Sequence, residues 1–327
     1  MEDRIKNLIQ IKRNLTKNKT RTCMWPGCNK SAIKSHVLQK NGILRQMSED
    51  NHLIELRPTN INEIENKGIL EFNKSGVNNA YTFNGFCNEH DSSIFKEIEN
   101  ENSINLYNPF HQCLFSYRGL CQEIRRKEIM SEWIHEISPI LDPLMNYHFD
   151  ALNDGYKLGI KNLLFFKSEI ENAINKSDYT KFKFSTVKLP KIGLCISVPL
   201  NISNDTDTEI LKQFDRNSDG ITSFPFPTSF INLFPYKQDS YFISGYHKDF
   251  PCKWTNKLTN KLSHLKNKKL SKELSDLVVL RLEFWLMSPK LFKKISLKRI
   301  EEYKHIFAKY VMNHDAKLKT KLNLFDF

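Results

Sequence analysis

Cys23 and Cys28 flank the tetrapeptide Met24-Trp25-Pro26-Gly27, and much further along Cys87 and His90 stand with two residues between them. Nothing else in the chain restricts its fold as tightly. Pro and Gly are turn formers, so the first pair reads as two thiolates on a tight turn. The second pair falls where a strand-like run, Tyr81 to Phe86, gives way to a helix. Three soft sulfurs and one imidazole nitrogen make a donor set that suits tetrahedral Zn2+. Two half-sites on distant segments, one on a turn and one on the first turn of a helix, are what a treble-clef zinc module needs. Cys23, Cys28, Cys87 and His90 are therefore the expected shell of a structural zinc ion.

The chain has seven cysteines in 327 residues, which raises the question of disulfides. Its N-terminus, MEDRIKNLIQIKRNLTKNK, lacks the apolar run of a signal peptide. No stretch reaches the ~18 apolar residues of a membrane span. The expectation is a cytoplasmic protein with reduced thiols and no membrane partner, so metal binding or burial is left for the cysteines. A hydrophobic content of 40% is enough for a core without staples. Cys113 and Cys121 lie in the long helical stretch FHQCLFSYRGLCQEIRRKEIMSEWIHEI and read as core residues. Its Phe110, Leu114, Tyr117, Cys121, Ile124 and Met130 recur at helical spacing and predict a buried face.

The order of patterns predicts an α+β fold. An N-terminal zinc treble-clef module, residues 1–105, precedes a helical connection. A small antiparallel sheet over about 180–250 follows, drawn from FKFSTVKL, IGLCISVPL and TSFINLFPYKQDSYFISGYH, which are rich in β-branched and aromatic residues. Basic helices over about 254–320 close the chain, so that 106–327 forms a second domain. Within the last part, LSKELSDLVVLRLEFWLM is apolar nearly all round and is expected to run through the core as one helix to Met287. After Ser296 a helix should keep Ile300, Tyr303, Phe307 and Tyr310 inside.

The net charge is +12, and its location matters more than its size. Between Lys253 and Lys321 there are 18 Lys and Arg against 6 Asp and Glu, while the rest of the chain holds 31 of each sign. Concentrating the whole excess in the last fifth suits a phosphate-facing surface, because each cation that displaces a condensed counterion adds affinity. Nucleic acid is the expected partner of these helices, with a solvated basic face as the plainer reading. A protein partner or a homo-oligomer stays open.

His36 is the fifth candidate donor for an ion that needs four. It either replaces His90 in the shell or stands free on a strand between the half-sites, available for catalysis. The second arrangement resembles the HNH, or His-Me finger, nucleases that carry a structural zinc. The likeness covers about residues 23–95. Ser35-His36 matches the strand pair of that family, Cys87-x2-His90 its second zinc half-site, and Asp91 the residue just after it. The resemblance implies a metal-dependent endonuclease in which His36 is the general base and Asp91 helps to hold Mg2+ or another divalent ion against the scissile phosphate. It also implies a setting of bacterial anti-phage defence or mobile elements. Ser35 stands where the family usually has Asp, Asp91 where it has His or Asn, and Asn79 and Asn84 are both candidates for its middle Asn. The alternative function is non-enzymatic: a zinc-stabilised chain that binds nucleic acid or protein.

Other signals carry less. Asp215 to Gly220 begins like a calcium loop, but its twelfth position is Phe226 in place of a bidentate Glu, so it reads as a solvated turn. Arg118 is expected to pair with Glu123 on the long helix, or else to reach a phosphate. Glu283 is expected inside the apolar helix with Arg281, a Lys or a hydroxyl beside it. The chain has no phosphate-cradling glycine loop, dinucleotide fingerprint or nucleophile elbow, which excludes the enzyme classes built on them.

Overall fold

Strands with apolar residues on both faces need cover on both sides, and the sheet of this protein receives it. The computed structural model describes residues 3–100, 103–202, 225–310, 313 and 315–325; the Asp215–Gly220 loop lies outside them. Nine strands are described: β1 (Lys34–His36), β2 (His52–Pro58), β3 (Leu70–Gly76), β4 (Thr82–Asn84), β5 (Phe182–Leu189), β6 (Leu194–Leu200), β7 (Ser229–Tyr236), β8 (Asp239–His247) and β9 (Leu286–Met287). β1 pairs with β4 alone; the other seven form an antiparallel sheet in the order β3-β2-β9-β6-β7-β8-β5. The tight turn between β7 and β8 is made by Lys237, in the left-handed region at φ 56°, and Gln238.

The longer helices are α1 (Asp3–Asn18), α2 (Asn88–Ile94), α3 (Pro109–Ile137), α4 (Pro143–Lys176), α5 (Lys253–His264), α6 (Asn267–Arg281) and α7 (Leu297–Tyr310). α3 and α4 start in the same way. Asn108 and Asp142 accept the amides of Phe110 and Met145 at 2.9 Å, and a proline follows each at the first helical position. No helix among the described residues is long and apolar enough to cross a membrane.

Alternation along β6 and β7 sorts the layers. Cys195, Phe230 and Phe234 face a core that contains Leu114, Phe115, Leu120 and Phe166 of α3 and α4. Ile196, Val198, Ile231 and Leu233 face the opposite core, filled by Leu258, Leu262, Leu274, Val278 and Tyr303 of α5 to α7. α3 lies almost on the backbone of β6: a Cβ at Gly119 would meet Ser197 Oγ at 2.5 Å and its main chain at 2.9 Å. Cys113 and Cys121 are fully buried in the first core.

The sheet is larger than the run over about 180–250 predicts. β2 and β3, from between the Cys23/Cys28 and Cys87/His90 pairs, join it through β9. This also corrects the last apolar helix, which ends at Arg281 and does not reach Met287. Leu286 and Met287 pair with Cys195 and Leu194 on one side and with Glu55 and Ile54 on the other. Satisfying backbone groups of two strands at once outweighs the helix preference of Leu and Met, which is high in rank but small in energy. Trp285 is packed against Phe72, Tyr303 and Phe325. Glu283 consequently lies half-exposed beyond the helix, and its partner is Arg126 at 3.1 Å instead of Arg281.

One tie from the sheet positions the N-terminal strands. Glu55 on β2 is buried and accepts the amide of Tyr81 at 2.9 Å. Tyr81 sits at φ 55°, a costly conformation for an aromatic residue. Its hydroxyl accepts the Ser197 amide at 2.7 Å, so both ends of the residue are anchored in the sheet just before β4 begins.

Candidate metal centre

The turn at Cys23 folds locally for reasons visible in its residues. Cys28 donates its amide to the Trp25 carbonyl at 3.2 Å, and Gly27 takes φ 73° with no neighbour that a Cβ would meet. Glycine is required there by backbone conformation alone. Met24 bonds to the Gly85 carbonyl at 2.8 Å, which lays the turn against the chain leaving β4. Cys87 then caps α2 in an extended conformation, and the Asp91 amide returns to its carbonyl at 2.9 Å.

These two pieces of backbone bring together Cys23, Cys28, Cys87 and His90, whose ligand atoms all lie within 4.8 Å of one another. His90 Nδ1 is 3.4 Å from Cys23 Sγ and 3.3 Å from Cys87 Sγ, and the sulfurs of Cys28 and Cys87 are 3.9 Å apart. Tetrahedral zinc with its usual bond lengths places sulfurs about 3.8 Å apart and sulfur about 3.6 Å from nitrogen. The four residues fit the ion and could hold it. Burial pushes the Cys23 thiol up to about 11, whereas the His90 amide at the start of α2 holds Cys87 below its ordinary value. A bound Zn2+ would ionise both. Trp25 covers the cluster, with its ring 5.8 Å from that of His90 and edge-on to Tyr117 of α3.

His36 is not among the four. It lies half-buried at the end of β1, opposite Thr82, and its Nε2 is 3.0 Å from the Val77 carbonyl. A carbonyl only accepts, so Nε2 carries the proton and Nδ1 keeps its lone pair. Burial lowers the imidazole's proton affinity, and the charges of Lys40 and Arg118 add to this against the Val77 carbonyl and Glu99. Ser35, on the other face of the strand, is fully buried and accepts the Phe86 amide at 3.2 Å. Asn79 accepts from Lys34 at 3.4 Å, and the Asn84 carbonyl accepts from Arg125 at 2.9 Å.

Asp91, one residue past His90, faces Arg118 of α3. The guanidinium lies 3.6 Å from Asp91 Oδ1, donates to Glu99, and stacks 4.0 Å over the Phe95 ring, while its side chain is 2% exposed. Burial raises the Asp91 carboxyl above the usual range, opposed first by Arg118 and then by the Ser35 hydroxyl. Where the resemblance would place a divalent ion, Asp91 thus faces Arg118 and Ser35 accepts the Phe86 amide.

Arg118 is the residue that sequence reading mispaired. Glu123 is five positions on, about 140° around the helix, and bonds instead to Arg126 and Lys127. An arginine inside the apolar run FSYRGLC is itself the missed signal, since burial demands an anion from elsewhere. The same face of α3 continues at heptad spacing. Arg125 donates to the carbonyls of Asn84 and Thr22, each at 2.9 Å, and Glu132 pairs with Arg21 and with Lys19. No family model, curated protein or solved structure matches the chain.

Proposed function

We propose that this protein handles nucleic acid as a zinc-held, HNH-like nuclease or a descendant of one, with a treble-clef-like module that presents His36 as general base. The observation that supports this most is the state of His36. Its protonated nitrogen is fixed by the Val77 carbonyl, its other nitrogen is free to accept a proton, and burial keeps the ring neutral at pH 7. In phosphodiester hydrolysis Nδ1 would take a proton from water as the water oxygen bonds to phosphorus and the bond to the leaving oxygen breaks. Zinc, when bound, supplies only the cross-link between the turn and α2.

Substrate would be gathered by the basic C-terminal helices. Lys257, Lys268, Lys269, Lys290, Lys294 and Lys298 are exposed and carry no ion pair among the described residues. A second reading, a non-enzymatic zinc-stabilised chain that binds nucleic acid or protein, draws on Arg118, which neutralises Asp91.

Plasmid, single-stranded DNA and RNA incubated with the zinc-loaded protein, with and without added divalent ions, decide between them. The nuclease reading expects cleavage that His36→Ala lowers by at least about 100-fold with Tm and zinc content unchanged. Because the folded His36 is lowered below its free value of about 6.5, the rate should be flat at pH 7 and fall only below that value. Salt-sensitive binding without cleavage supports the second reading.

A further inference from the structure

We infer that Arg118 is the resident cation of this site: its guanidinium takes the place between Asp91 and Glu99 that a divalent ion would need, so the zinc-loaded protein binds no second metal beside His36. The inference deepens the functional reading of His36 and Asp91 and rests on it for its meaning, although its test does not require cleavage.

Three observations carry it. First, the guanidinium is sandwiched by two carboxylates and an aromatic face, with Glu99 and Asp91 on its Nη atoms and Phe95 beneath its plane. A guanidinium is a planar cation whose fork of donors suits carboxylates. Secondly, the cation facing the buried Asp91 Oδ1 is Arg118, 3.6 Å away. Thirdly, Arg118 cannot swing away cheaply. It is 1% exposed, it projects from the third turn of a 29-residue helix, and one heptad on Arg125 fixes that helix to the strand end and the cysteine turn through two carbonyls. Gln39 closes the far side by donating its amide to the Glu99 carbonyl. An incoming divalent ion would meet a like charge held between two carboxylates and an aromatic ring. Arg118 is a positioning residue for Asp91 and gives the site a permanent charge that a metal would otherwise supply.

The test is a Mn2+ titration of the full, zinc-loaded chain, read by electron paramagnetic resonance of free Mn2+ and by paramagnetic broadening of the His36 imidazole signals. Wild type should show no saturable broadening up to about 1 mM Mn2+, the weak end of protein sites for hard cations. Arg118→Met, which keeps the apolar stem and removes the charge, should gain a site at least tenfold tighter that broadens His36, and adding Asp91→Asn should abolish it. Arg118→Lys should behave as wild type. A wild-type protein that binds Mn2+ saturably next to His36, with loss of binding in Asp91→Asn, would overturn the inference, as would a folded Arg118→Met protein that gains no site. Should Arg118→Met fail to fold, the wild-type and Asp91→Asn titrations decide alone. If the Mn2+ pattern holds while no nucleic acid is cleaved, the nuclease reading falls and the assignment of Arg118 stands.

Discussion

β1 and β4 are three residues long and among the described residues pair with nothing but each other, whereas β7 and β8 are eight and nine residues long and lie inside a seven-stranded sheet. α2, the helix that completes the N-terminal unit, has seven residues and none is fully buried. A two-stranded ribbon and a two-turn helix are marginal in water, so the first region needs help that the second does not. The structure packs Val37, Phe83, Phe86 and Phe95 into the core that also holds Phe115 and Phe234, and adds polar devices: four ligands converging on one point, arginines from α3, and the anchored Tyr81. The sheet relies on apolar cover from both faces. Function is proposed at the first region, where geometry is held from outside by groups that can be removed singly.

The largest effect that separates the regions should follow loss of the proposed zinc. Structural zinc is worth about 10–16 kcal/mol in small modules at neutral pH, far more than β1, β4 and α2 can replace. Cys87→Ser is expected to abolish zinc binding and the amide protection of Thr82–Asn84 and Asn88–Ile94, while amides of β7 and β8 stay protected in hydrogen exchange. Loss of protection in both regions together would show that they unfold as one unit and would break the comparison.

A smaller effect should arise on the other side. Leu233 on β7 is fully buried between Ile196 and the helices α5 to α7. Leu233→Ala should lower global stability by about 2–5 kcal/mol through lost transfer energy and an unfilled cavity, measured by urea unfolding followed by far-ultraviolet circular dichroism. Zinc content of the native protein should stay at one ion per chain. Substoichiometric zinc in this variant would mean that the sheet positions the half-sites directly, and the regions would be less separate than their construction suggests.

How much of this the sequence discloses differs between the regions in the same way. The metal cluster is legible because its chemistry resides in residue types: three Cys and one His brought together by a turn and a helix start, with Pro26, Gly27 and the change of pattern at Cys87 marking both. The α+β character and β5 to β8 follow from period and composition. β2 and β3 escape notice because they gain their place from β9, more than 200 positions away along the chain, and two residues with no strand signal of their own make that link. Arg118 illustrates the same limit in side chains. Its type says that an anion must be near, but Glu99 and Asp91 reach it only after α2, the short helix Lys96–Glu99 and α3 have packed.

The subtlest prediction concerns Arg125, which joins the two regions without belonging to the metal shell. Its Nε and Nη2 each donate at 2.9 Å, to the Asn84 carbonyl at the end of β4 and to the Thr22 carbonyl just before Cys23, so one guanidinium spans both half-sites. Hydrogen bonds from a charged donor are worth about 1.5–3 kcal/mol each, although solvent reaching the freed carbonyls recovers part of that. Arg125→Met should therefore weaken zinc binding by roughly 10- to 100-fold, about 1.4–2.7 kcal/mol, in competition with a chromophoric chelator, and leave urea unfolding of the sheet nearly unchanged. Arg125→Lys should recover little, because an ammonium on a flexible stem does not reproduce the planar fork that meets two carbonyls at once. Unchanged zinc affinity in both variants would mean that the turn and α2 are preorganised without α3, and the helix would then be a neighbour of the metal centre and not its support.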